Sequence, residues 1–575
     1  MRKSALCLAL ILTGCGLGGS GGGGSSEVES PVPEITTLDP SEVRSGSNGL
    51  DLSVTGTGFL TGATVIWDGA DRTTTFVSDT QVIASIPPAD LATPGTVSVS
   101  VRNPDPTAGA SNALSFESTA LPNPGPTGFP IRITETIDDS APDGSSVNGG
   151  LDWAGKYAIF ASKASNLVTD DTNDTYDLFI RETCVGAINA CTPITTRAVT
   201  GIGGSEPDGD IGWTATSPEG SLAVSFNGRF VAFVSSASNL VPSDTNAFDD
   251  VFLLDTCIEA LTACTPDVIR VSVGDDGSQS TRLASYPAVA DDGRYVVFVS
   301  ADPSLVAGDT NGVADVFLRD TCRGAAVGCT TSTSRLSVAD DGSEGNASSG
   351  EPAFTGRFVA FSSRASNLVA GDTNGVRDVF LRDTCLGEPE CIPSTRLVSV
   401  GQSGDPANGG SSYPKVSWGL ADSAGNDQHG RFVVFESIAT NLVPDDTNGA
   451  SDVFERDLCA SVPGCSPSTA RISLTDAGEE IAGNSWSSNF LRWDGETMPF
   501  VTAADGVVDG DTNGFTDVYV RHQCPYGAPS YCAESTRRVS IGADGAQTDG
   551  DSYAPRMSHD PFGAWLITYL SLIHI

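Results

Sequence analysis

Six times along the chain an Asp-Thr-Asn triplet is followed, four residues after the asparagine, by a second aspartate. The sets are Asp171, Asn173 and Asp177; Asp244, Asn246 and Asp250; Asp309, Asn311 and Asp315; Asp372, Asn374 and Asp378; Asp446, Asn448 and Asp452; and Asp511, Asn513 and Asp517. Hard oxygen ligands alternating in a tight loop, with a further carboxylate a turn later, suit Ca²⁺, which accepts side-chain and carbonyl oxygens in flexible geometry. The same residue types also make Asx turns that shape a loop, with Gly312, Gly375, Gly449, Gly514 or Ala247 taking an unusual backbone angle. Calcium ligation and turn chemistry are both open readings of the motif. An EF-hand is excluded, because the glycine stands fourth in the motif rather than sixth.

Twelve cysteines fall two per unit: Cys184 and Cys191, Cys257 and Cys264, Cys322 and Cys329, Cys385 and Cys391, Cys459 and Cys465, Cys524 and Cys532. Zinc sites want closer spacing and a second pair or a histidine nearby, and these pairs lie in separate units. Local disulfides in an oxidising compartment fit better, each contributing about 2–3 kcal/mol in the chain-entropy picture. The histidines, His429, His522, His559 and His574, share no position in the repeat, so no triad or metal cluster is evident. The strings GGSGG at Gly18 and GLGGSG at Gly16 match a nucleophile elbow and a dinucleotide fingerprint, but no strand or helix surrounds them. No cofactor is required, and the expectation is a protein that is not an enzyme. A non-repeated buried acid or base in a central channel would favour the alternative, a carbohydrate-active enzyme or a fragment of a propeller hydrolase.

The elements that position these residues must be short strands. Gly 64 and Pro 33 with only Met 3 in 575 residues favour many strands joined by turns, and the length calls for more than one domain. The balance of 31 basic and 72 acidic residues, a net charge of −41, opposes any phosphate backbone and excludes nucleic acid as a partner.

Residues 1–15, MRKSALCLALILTGC, combine two basic residues with an apolar run of signal-peptide length, and 16–32 form a Gly/Ser-rich tether. Leu12, Thr13, Gly14 and Cys15 resemble the lipobox of bacterial lipoproteins. That resemblance implies lipidation at Cys15 and partnership with a membrane; Gly16 after it resembles lipoproteins passed to the outer membrane. At the other end, 570–575, LSLIHI, is what a common sequencing adaptor encodes when read in frame, so the expectation is that the natural C-terminus is missing.

From 33 to 118 short apolar runs alternate with turns, which suits a β-sandwich. The stretches ITTLDPSEVRSGS at Ile35, VTGTGFLTGATVIWDG at Val54, TQVIASIPP at Thr80 and PGTVSVSVRNPDP at Pro94 resemble the IPT/TIG family of immunoglobulin-like domains. The resemblance implies a spacer or a contact module for protein or glycan. Residues 119–131 are a Pro-rich linker.

The repeats occupy 132–569. In the third, YPAVADDG at Tyr286, RYVVFVS at Arg294, DVFLRDTC at Asp315 and SRLSVADDG at Ser334 read as four strands in order. The fourth strand opens with Arg197, Arg270, Arg335, Arg396, Arg471 and Arg538. The order and the phrase P-x-V-x-x-x-G-R-F-V-A-F resemble the PD40 (WD40-like) repeats of TolB-like β-propellers. An isolated RITET at Arg132 and an orphan YAPRMS at Tyr553 predict a seventh, truncated blade closed by pairing the two ends of the ring. The expected whole is an all-β cell-envelope lipoprotein, a β-sandwich followed by a seven-bladed propeller, acting as a binding or scaffold protein for a protein or glycan ligand. A purely structural envelope component is the alternative.

Overall fold

The computed structural model describes residues 32–44, 50–87, 90–91, 95–104, 109–119, 132–136, 140–185, 192–214, 220–260, 263–388, 390–417, 430–460, 464–487, 497–524, 533–542, 545–559 and 565–571. The expected signal segment with Cys15, and all but one residue each of 16–32 and 119–131, lie outside them. No α-helix occurs among the described residues, and none of their helices is long and apolar enough to cross a membrane. The chain divides into two compact units, Met1–Gly128 and Phe129–Ile575.

The first unit is a sandwich of β1 (Glu34–Asp39), β2 (Glu42–Arg44), β3 (Leu50–Thr57), β4 (Thr64–Trp67), β5 (Ala70–Asp71), β6 (Thr74–Ser78), β7 (Gln81–Ile86), β8 (Gly95–Arg102) and β9 (Leu114–Thr119). One sheet runs β1-β3-β7-β6 and the other β2-β9-β8-β4-β5. Alternate residues of β3, β4, β7 and β8 point inward, and Trp67 meets Phe116 at 4.8 Å between ring centroids in the closed core. Gly58, at φ 74°, turns the chain so that Phe59 enters that core, while Gly56 lies so close to the Glu34 carbonyl that a side chain would collide with it.

The second unit contains six four-stranded antiparallel sheets, each using its strands in sequence order, and a last sheet of two strands. These blades span 146–197, 222–270, 284–335, 349–397, 411–471, 485–538 and 552–571. The second and third strands of each full blade are buried on both faces and carry its core. Across them one aromatic from each strand stacks on the other, Phe298 on Phe317 and Phe435 on Phe454 for example, at centroid distances of 5.5–6.0 Å. Apolar clusters then bridge each pair of neighbouring full blades from the first to the sixth, as expected of blades that do not stand alone. First strands from all seven blades line one central cavity, and the first blade's inner strand, Ser146–Leu151, packs against both strands of the seventh. The architecture is a seven-bladed β-propeller.

Each fourth strand starts two or three residues earlier than expected, at Ile194, Asp267, Ser332, Ser394, Ser468 or Ser535, so Arg197, Arg270, Arg335, Arg471 and Arg538 close their strands rather than open them. Two further details differ from the sequence expectation. Arg132–Thr136 is not assigned to any strand. In every full blade the fourth strand pairs with the third, and the seventh sheet consists only of Ser552–His559 and Trp565–Ser571, so the segment has no edge to join. It packs instead on blade one, with Ile133 against the Phe160–Phe179 cluster and Glu135 ion-paired to Arg181. The other difference concerns Arg396. Leu397, not Arg396, pairs with Phe380 in the register where Arg335 pairs with Phe317, so Arg396 lies one residue off the position its counterparts hold.

Candidate functional site

The Asp-Thr-Asn loops run from the second strand into the third, and the last aspartate of each motif is the first residue of the third strand. In blade three, Asp315 is fully buried and Asp309 nearly so. Both carboxylates turn to the Arg335 guanidinium, whose Nη1 lies 3.2 Å from Asp309 and 3.6 Å from Asp315. Arg335 also contacts Glu344 at 2.8 Å. The Asn311 side chain donates to Asp315 at 2.8 Å and to the Gly345 carbonyl at 3.0 Å, and the Ser337 hydroxyl donates to Asp315 at 2.5 Å. The Asn311 side-chain oxygen accepts from the Val313 N–H, the expected Asx turn.

The same arrangement recurs with Arg197, Arg270, Arg471 and Arg538 in blades one, two, five and six. In blade one the oxygens of Asp171, Asp177 and Glu206 lie within 4.8 Å of one another, as a metal cage would require, but Arg197 contacts all three. In five motifs, then, the positive charge that the carboxylates face is part of the chain. Burial pushes the Asp177 carboxyl up to about 6 despite Arg197. The Thr310 hydroxyl and N–H, with Arg335 behind them, hold the half-buried Glu344 carboxyl down to about 2 from 4.5. A lowered folded value stabilises the fold above the unfolded pKa, and that contribution is lost as pH falls through the folded one. Acid unfolding followed by circular dichroism should show Glu344→Gln removing part of the stability difference that wild type loses between pH 4.5 and about 2.

At the other end of the third strand a second network holds the cysteine loops. Asp320 accepts from Arg294 at 2.8 Å and from the Cys322 N–H at 2.8 Å, and Arg294 stacks over Tyr295. Cys257–Cys264, Cys322–Cys329, Cys385–Cys391 and Cys459–Cys465 are disulfides. Cys184 and Cys524 are also disulfide-bonded, while Cys191 and Cys532 lie outside the described residues. These sulfurs are thereby withdrawn from metal ligation.

The central cavity, of about 860 Å³, presents chemistry outside the repeat. In blades three, four, five and seven the innermost strand has a register shift, and the residue before proline there takes a left-handed backbone: Tyr286 (φ 51°), Glu351 (φ 54°), Tyr413 (φ 50°) and Ala554 (φ 51°). Proline is tolerated at this position because the innermost strand is a sheet edge. Non-glycine residues in that region cost about 1–3 kcal/mol and cluster where side chains are re-aimed for function. Tyr286, Glu351, Tyr413, Trp486 and Tyr553 all border the cavity, and the last three remain 36–41 % exposed. A smaller pocket of about 670 Å³ adjoins Tyr286, Glu351 and Arg377.

Two buried acids on this wall have no counterpart in the other blades. Glu351 accepts from Arg377 at 2.7 Å, Ser362 at 2.8 Å and the Tyr413 N–H at 3.0 Å. Glu436 accepts from the Ser487 N–H at 2.8 Å and hydroxyl at 3.0 Å. Sequence reading missed both, although the residue-before-proline signal in YPAV, EPAF, YPKV and APRM marks the bulged positions.

Residues 33–118 match the IPT/TIG domain family. The match takes in the two-sheet sandwich up to the last residue but one of β9. No curated protein matches the chain. Among solved structures, an auxiliary nutrient binding protein from Bacteroides thetaiotaomicron is 11% identical, with 78% of this chain and 87% of that one covered and a TM-score of 0.26. Oligogalacturonate lyase from Vibrio parahaemolyticus is 12% identical over 75% and 92%, with a TM-score of 0.37. The Cps50 (Swd1) β-propeller domain from Myceliophteria thermophila is 11% identical over 76% and 96%, with a TM-score of 0.34. The propeller beyond the IPT/TIG domain rests on its own sheet topology and ring closure.

Proposed function

We propose that this chain is an exported, outer-membrane-anchored lipoprotein, held at Cys15, whose propeller binds a ligand at its channel wall without turning it over. The observation that carries the reading is the set of left-handed bulges that present Tyr286, Glu351 and Tyr413 beside Trp486 on one concave surface. A concave site with aromatic faces and a few fixed polar groups is the usual form of a small-ligand site. A glycan fits it best: aromatic faces pack on sugar C–H surfaces, and Glu351, Glu436 and Lys415 offer hydrogen-bonding groups to hydroxyls. Glu351 and Glu436 are already engaged by protein donors, which suits recognition better than proton transfer. The disulfides support an oxidising, extracytoplasmic compartment, and the net charge of −41 opposes nucleic acid. The IPT/TIG domain serves as the spacer.

The test is binding of the leaderless chain to glycan and protein fractions of an envelope extract. Saturable binding to the glycan pool, weakened about tenfold or more by Trp486→Ala or Tyr413→Ala with the ligand recovered unchanged, is expected. Binding that ignores both variants, or no saturable binding at all, leaves a structural component; release of shortened glycan would make the protein an enzyme.

A further inference from the structure

Counting six residues on from the second cysteine of each pair reaches Arg197, Arg270, Arg335, Arg471 and Arg538, but Leu397 in blade four. Nine residues further, where the other blades have Glu206, Gln279, Glu344, Glu480 and Gln547, blade four has Pro406. The strand register agrees, since Leu397 faces Phe380 as Arg335 faces Phe317, and Arg396 is opposite Leu381. Successive strand residues point to opposite sheet faces, so Arg396 does not reach the motif from there.

The aspartates have nevertheless stayed. Asp372 is 7% exposed and Asp378 0%. Among the described residues neither is ion-paired, and Asp372 Oδ1 and Asp378 Oδ2 have no hydrogen-bond partner. The remaining contacts repeat those of the other blades: Ser399 donates to Asp378 at 2.6 Å, and the Asn374 side chain donates to the Ala407 carbonyl at 2.8 Å. Blade four therefore keeps both aspartates and the asparagine of the loop but lacks the arginine, and with Pro406 also the Glu or Gln that accompanies it. Buried carboxylate oxygens without a counter-charge are strongly unfavourable unless something neutralises them. Leu397 has no polar group to offer.

We propose that blade four binds one Ca²⁺ between Asp372 and Asp378, in the position that an arginine guanidinium fills in the other five full blades. The donors are hard carboxylate oxygens, the ligand type Ca²⁺ prefers, whereas thiolates and imidazoles select softer metals. The other five motifs bind none, because their arginines occupy the place.

The experiment is calcium titration of the full leaderless chain after EDTA treatment, by equilibrium dialysis and by thermal melting. One saturable Ca²⁺ per chain is expected, with a midpoint that rises with free Ca²⁺. Leu397→Arg should abolish that site while preserving the melt, and Asp309→Asn in blade three should leave the stoichiometry at one. Should Leu397→Arg fail to fold, Asp372→Asn must weaken binding by about tenfold or more. No saturable site, a stoichiometry near six, or a site that survives Leu397→Arg and Asp372→Asn would overturn the proposal.

Discussion

Replacing Arg471 by methionine will destabilise the propeller by about 3–5 kcal/mol, the usual cost of removing one member of a buried ion pair. Arg471 is 8% exposed and reaches Asp446 at 3.2 Å, Asp452 at 3.7 Å and Glu480 at 2.7 Å. Methionine fills most of the volume but leaves Asp446 and Asp452 as buried charges with no counter-ion. The loss should be read from urea unfolding in EDTA, so that no metal substitutes for the guanidinium. Adding Asp446→Asn and Asp452→Asn to the same chain should recover much of it, because amides carry no charge to neutralise. A change below about 1 kcal/mol would mean that the pair behaves as a solvated surface pair.

Phe435→Ala should cost a similar amount, about 3–5 kcal/mol. Phe435 is fully buried, stacks on Phe454 at 6.0 Å, and belongs to a cluster that joins Phe358, Val379 and Leu381 of blade four to Val433 and Leu442 of blade five. The cavity therefore opens at a seam between blades. In a ring whose blades support one another, the variant should still unfold in a single transition at a lower urea midpoint, with near- and far-ultraviolet circular dichroism coinciding. Separate transitions would show that blades five and six uncouple from the rest.

Strand order, blade number and the place of both repeated motifs were legible because they are local. Alternating apolar runs, Gly-Arg-Phe turns and the cysteine spacing each specify a strand or a loop within a few residues. What escaped depends on register. Arg396 has the right type beside the right position, and only counting from Cys391 shows that Leu397 is the structural counterpart of Arg335. The bulges that turn Tyr286 and Tyr413 to the cavity depend on pairing with the second strand, which residue types alone leave open; the prolines after them were the visible trace. In five of the six Asp-Thr-Asn loops the partner is an arginine about 25 residues away in sequence, Asp309 with Arg335 for instance, and becomes visible only once the third and fourth strands pair. Arg132–Thr136 resembles the fourth strands in sequence, but a strand also needs an edge to pair with, and its blade presents no third strand.

The claim that the channel wall is the binding surface is tested most directly by hydrogen exchange of the full leaderless chain with and without the envelope glycan fraction. Protection concentrated in Ala284–Val289, Ser349–Phe354 and Ser411–Val416, the innermost strands that bear Tyr286, Glu351 and Tyr413, is the result this account predicts. Protection confined to residues 33–118, or spread over the outer strands with the innermost ones unchanged, would contradict it.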